Sequence, residues 1–121
     1  MPEKYRSSFS NEIIFQKVVD QLNKDFGEDV VRWPLTPENL DSLFLEVCGI
    51  VDSLLEKSIE RLLQWCYRID LPQEKIAQAL NPSGNQEPVK EISAMILLRE
   101  AQKVELREKW SKKLDIDSRT T

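Results

Sequence analysis

The sequence predicts an all-α protein, a small helical bundle with two long helices. Three observations carry that prediction. Across residues 36–69 a period of 100° per residue sorts the chain into two faces. Leu40, Leu43, Phe44, Val47, Cys48, Ile50, Val51, Leu54, Leu55, Ile59, Leu62, Trp65, Cys66 and Ile69 fall on one, and Ser42, Glu46, Gly49, Ser53, Glu56, Lys57, Glu60 and Gln64 on the other. Only 3 Gly and 6 Pro occur in 121 residues, and the prolines stand at element boundaries. The run Ala94-Met95-Ile96-Leu97-Leu98 is apolar nearly all round, as suits a helix enclosed by neighbours.

Residues 1–9 read as a polar lead-in. The first helix is predicted over residues 10–26, with Ser10 as N-cap, Phe9 stapled to Ile14, and Gly27 placed to end it. Its apolar face carries Ile14, Phe15, Val18, Val19, Leu22 and Phe26. A loop over residues 28–35 follows, packed at Trp33-Pro34. The first long helix is expected to open at Thr36 as N-cap, with Pro37 at N1 and Glu38 at the positive helix end. Leu35 and Leu40 supply a second staple. Gly49 falls on the outer face and the apolar face keeps phase on both sides of it. One helix is therefore expected to run to Ile69, with at most a bend at Gly49. Such a helix spans roughly 50 Å, against a compact domain ~35 Å across. Its apolar stripe would outrun its own fold and require a partner.

Asp70-Leu71-Pro72 stops that helix and begins a short connecting one over residues 72–80. Residues 81–85 read as an exposed loop. Pro88 opens the second long helix, predicted over residues 88–114. The whole chain, 1–121, reads as a single helical domain, with residues 1–9 and 115–121 as flexible ends.

Composition excludes more than it assigns. There is no histidine, which removes the commonest general base, the His-dependent triads and the Glu-x-x-His arrangement of di-iron bundles. Two cysteines without histidine cannot close a structural zinc site. No Gly-rich phosphate loop occurs. No enzymatic activity, catalytic residue, cofactor or metal is expected. Cys48 and Cys66 lie about 27 Å apart if one helix carries both, too far to pair, and unpaired thiols suit a reducing cytoplasm. No apolar run approaches the ~18 residues a membrane span needs, and residues 1–10 lack a secretory pattern.

Charge is uneven although the net value is only −4. Residues 20–46 hold seven acidic and two basic side chains, and residues 99–113 hold six basic and three acidic. Poles of opposite sign steer and orient association, or neutralise each other within the monomer. On the last helix Glu100, Lys103 and Arg107 continue the face of Val89, Ile92 and Ile96, while Leu106 and Trp110 shift the apolar side by about a quarter turn. That end reads as solvated helix or as a polar-rimmed docking surface. Arg61, Trp65 and Arg68 follow one another along an edge of the long stripe, a pairing of types common at hot spots and equally the pattern of a core Trp rimmed by snorkelling arginines.

The segment Gln73-Glu74-Lys75-Ile76-Ala77-Gln78-Ala79-Leu80 resembles the Gln-Glu-x-Ile-Ala-x-x-Leu first helix of bacterial repressor-type helix-turn-helix domains. The resemblance implies a DNA-binding regulator using residues 72–100. It departs from the pattern where Pro82 enters the turn and the next helix waits until Pro88, since the motif joins its helices by 3–4 residues. The favoured expectation is a non-enzymatic protein–protein interaction module, an oligomerising adaptor or regulatory subunit. Its partner is a second copy or a helical protein, rather than nucleic acid or membrane. Its expected interface comprises Val51, Leu55, Arg61, Leu62, Trp65, Arg68 and Ile69, with Met95, Leu98 and Trp110 alongside.

Overall fold

The computed structural model describes residues 12–26, 37–81 and 87–120, with side chains between residues 15 and 111. The described residues form five helices and no strand: α1 (Glu12–Phe26), α2 (Leu40–Lys57), α3 (Ile59–Arg68), α4 (Gln73–Leu80) and α5 (Pro88–Thr120). The fold is a small all-α bundle. Helix α5 is its spine, with α1, α2 and α4 packed on it, and α3 bridges α1, α2 and α4.

The first long helix is not continuous. Gly49 is helical as expected, but the chain breaks at Ser58, which has extended dihedrals (φ −163°, ψ 93°). Ser58 serves both flanking helices. Its N–H donates to the Leu54 carbonyl at 2.7 Å, closing α2, and its Oγ accepts from the Arg61 N–H at 3.4 Å, opening α3. A serine hydroxyl offers the backbone this alternative to helical bonding, and a cap satisfies an N–H that the helix start leaves orphaned. Periodicity missed the break because α2 and α3 bury the same side against one core. At 18 and 10 residues, the two helices are roughly 27 and 15 Å long, so neither outruns the fold. The helix that does is α5, whose 33 residues span roughly 50 Å and continue past the expected end at 114.

The start of α2 also differs from expectation. Thr36 lies outside the described residues, and residues 37–39 are not helical. Asn39 is the N-cap: its Oδ1 accepts from the Ser42 N–H at 2.9 Å, and Ser42 Oγ accepts from the Asn39 N–H at 3.3 Å. This reciprocal capping box satisfies two donors where Thr36 offered one. The expected Phe9, Ser10 and Leu35 contacts, Gly27, Trp33-Pro34 and the loop at 82–85 lie outside the described residues.

Helix α3 ends in a Schellman motif. The Leu71 N–H donates to the Cys66 carbonyl at 2.8 Å and the Asp70 N–H to Tyr67 at 3.1 Å, with Asp70 in the left-handed region at φ 59°. Pro72, at the N-cap of α4, then redirects the chain. The core draws on every helix: Val18, Leu22 and Phe26 of α1, Leu43, Val47 and Val51 of α2, Leu62 and Trp65 of α3, Ile76 of α4, and Ile92, Ile96, Leu97 and Val104 of α5. Phe26 stacks on Trp65 with ring centroids 4.2 Å apart. Cys66 is enclosed here, and burial pushes its thiol up to about 11, out of reach of thiolate chemistry. Among the described residues no helix is long and apolar enough to cross a membrane.

Candidate functional site

The expected interface stripe divides into core and surface. Val51, Leu62, Trp65 and Ile69 are buried within the monomer, Trp65 being 3% exposed, so none of them can meet a second chain while the fold is intact. The break at Ser58 separates α3 from α2, and Phe26 of α1 stacks on Trp65. Leu55 is half-buried against the same core. Arg61 and Arg68 are exposed. Arg68 Nη1 donates to the Asp25 carbonyl at 3.2 Å, tying the end of α3 to the end of α1. Met95 and Leu98 are half-buried and line a groove of about 520 Å³ between α4 and α5, with Asp70, Lys75 and Arg99 at its edge. Trp110 lies on the surface of α5.

Beneath α1 lies a polar cluster that periodicity alone read as solvated helix. Glu100 is 0% exposed, facing α1 from the spine. Neither of its carboxyl oxygens has a partner within hydrogen-bond distance, and Lys103 Nζ stands 4.0 Å from Oε2. Around it run ordered contacts between the two helices. Lys103 Nζ pairs with Asp25 Oδ2 at 3.1 Å, Gln21 Nε2 donates to Asp25 Oδ1 at 3.0 Å, and Arg107 Nη1 donates to Gln21 Oε1 at 2.8 Å. Lys17 and Glu108 form an ion pair farther along.

Burial first, and then the Asp25 carboxylate, push the Glu100 carboxyl up to about 8, against the pull of Lys103 and Arg99. Glu100 is therefore mainly protonated at neutral pH. Burial alone would raise Asp25 too, but the neighbouring Glu100 carboxyl, the Gln21 hydrogen bond and the Lys103 ion pair outweigh it and lower its pKa. The two carboxyls are driven apart as coupled acids are. Glu100 has no opening to solvent, so the cluster holds a proton between α1 and α5 without presenting it to a substrate. Among the described residues no three His, Cys, Asp or Glu side chains gather in a way that would hold a metal. The sequence signal for this cluster was present: Glu100, Lys103 and Arg107 continue the buried face of Ile92 and Ile96. What it lacked was the position of α1.

Beyond Val104, the last core residue of α5 among the described side chains, residues 105–111 are exposed except for half-buried Glu108. Leu106 and Trp110, each 55% exposed, stand one turn apart on this stretch, flanked by exposed Arg107 and Lys109. The outer face of α2 shows Leu45, 69% exposed, among acidic residues. No family model matches the chain, and no curated protein or solved structure matches it.

Proposed function

We propose that this protein is a non-enzymatic helical interaction module, an oligomerising adaptor or regulatory subunit of the cytoplasm, and that it engages a protein partner through the end of α5. One observation carries this reading. Leu106 and Trp110 form an exposed apolar pair on α5 beyond Val104. A large aromatic beside an aliphatic, rimmed by Arg107 and Lys109, has the composition of an interface anchor with a polar rim. The interface expected at Val51, Leu62, Trp65 and Ile69 moves to this surface, because those residues already serve the core.

The DNA-binding alternative has less support. Residues 81–87 separate α4 from α5, longer than a helix-turn-helix allows. The helix that would enter the major groove is the spine itself, and its first turns bury Ile92, Ser93 and Ala94. A photo-crosslinking amino acid placed at position 110 in living cells distinguishes the two. The interaction module yields protein adducts at 110 and none from the same probe at exposed Lys90. No adduct at 110, together with steeply salt-dependent binding to random duplex DNA, overturns the reading in favour of nucleic acid.

A further inference from the structure

Given the reading of α5 as an interaction surface, on which this inference rests, we propose that the partner of the α5 end is a second copy of this chain, seated on the outer stripe of α2. That stripe comprises Asp41, Leu45, Gly49, Asp52 and Glu56, all exposed. At 100° per residue they fall within a narrow band opposite the buried line Leu43, Val47, Val51 and Leu54. The buried line packs toward α5 of the same chain. The stripe thus faces away from its own spine.

Two features of the stripe have no use in the monomer. Leu45 is the most exposed aliphatic side chain of the described residues, at 69%. Gly49 sits in mid-helix without a positive φ, and a Cβ added there would meet nothing within 4 Å. A mid-helix glycine is destabilising relative to alanine, and here neither backbone conformation nor packing requires it. What Gly49 does provide is a shallow seat beside Leu45 where another helix can approach the backbone closely.

The α5 end fits that seat in shape, spacing and charge. Leu45 and Gly49 are four residues apart, as are Leu106 and Trp110, so both pairs rise by about 6 Å. With the helices parallel, Leu106 meets Leu45 and the large Trp110 ring meets the small Gly49. Three carboxylates, Asp41, Asp52 and Glu56, and no basic residue occupy the stripe, while Arg107 and Lys109 flank the apolar pair. Opposite poles meet between molecules, a pairing that sets orientation. Each copy carries both surfaces, so one contact joins two copies heterologously, the helix end of one on the α2 stripe of the other.

Sedimentation equilibrium tests this on the full chain. Wild type should dimerise at low salt and dissociate as salt is raised. Leu45→Lys should abolish dimerisation with unchanged circular dichroism. Gly49→Gln is the sharper variant: the isolated monomer should melt at higher temperature while dimer affinity falls at least tenfold. Asp52→Lys and Lys109→Glu should each weaken self-association, and a mixture of the two should recover a heterodimer. A wild type that is monomeric at every concentration, or a Gly49→Gln chain that dimerises as tightly as wild type, overturns the inference. The crosslinking readout separates this failure from the broader one. Adducts at position 110 with a different protein leave the interaction module standing without the second copy, whereas no adduct of any mass removes both.

Discussion

Glu100 is where a single side chain most changes what the protein does with pH. Its carboxyl titrates near 8 in the folded chain and at 4.5 when unperturbed. Between those values the folded state holds a proton that the unfolded chain has released. The stability from this site is fully present below about 4.5 and is lost as pH rises through about 8. Asp25 acts in the opposite sense: its lowered pKa contributes stability above the unfolded value, lost as pH falls through the folded one. Glu100→Gln keeps the shape without the charge. It should flatten the decline between about pH 4.5 and pH 8 and raise stability near pH 9 by roughly 1–3 kcal/mol, read from urea midpoints across the pH range. Asp70 offers a second residue-scale prediction. It occupies the left-handed position of the Schellman motif, where glycine has no steric penalty. Its 3.8 Å pairing with Arg99 is exposed on the aspartate side and worth little. Asp70→Gly should therefore stabilise the protein by about 0.5–1 kcal/mol, measured as the same midpoint shift.

At the scale of the element, Ser58 decides how the amphipathic segment is used. Had 36–69 remained one rod, its far half would have lain beyond the reach of α1. Divided at Ser58, the segment gives a separate α3 that sets Trp65 against Phe26. Ser58→Ala removes the hydroxyl that receives the Arg61 N–H and should cost about 1 kcal/mol. It should not fuse α2 with α3, because a straight helix would withdraw Leu62 and Trp65 from the core. Helical content by circular dichroism should accordingly stay within error of wild type while the melting temperature falls. Helix α5 shows the converse. It has no internal break, and beyond Val104 α1 still pairs with Arg107 and Glu108 while Leu106 and Trp110 stay on the surface.

For the molecule as a whole, the distinction between core and interface can be read thermodynamically. Leu62→Ala empties a fully buried position shared by α3 and its neighbours and should cost 2–5 kcal/mol, roughly, of folding stability. Leu106→Lys should shift monomer stability by no more than about 0.5 kcal/mol, since the side chain is more than half exposed. Equal losses from the two experiments would place the α5 end in the core and remove the basis for an interaction surface there. Chemical denaturation at low protein concentration makes the comparison on the monomer.

Local chemistry by itself determined the helical class, the short helix after Pro72, the opening of the last helix at Pro88 and which side of each helix turns from water. Those properties follow from periodicity, proline geometry and capping, which act over a few residues. Periodicity says that Val51, Leu62, Trp65 and Ile69 point inward, but not whose interior they enter. Only the placement of α1 and the turn at Ser58 made that interior the monomer's own. The same placement sealed Glu100 beneath Gln21 and Asp25 and raised its pKa, an outcome invisible in a helix end rich in charge. Burial is a property of two surfaces that meet, and a sequence read one helix at a time holds only one of them.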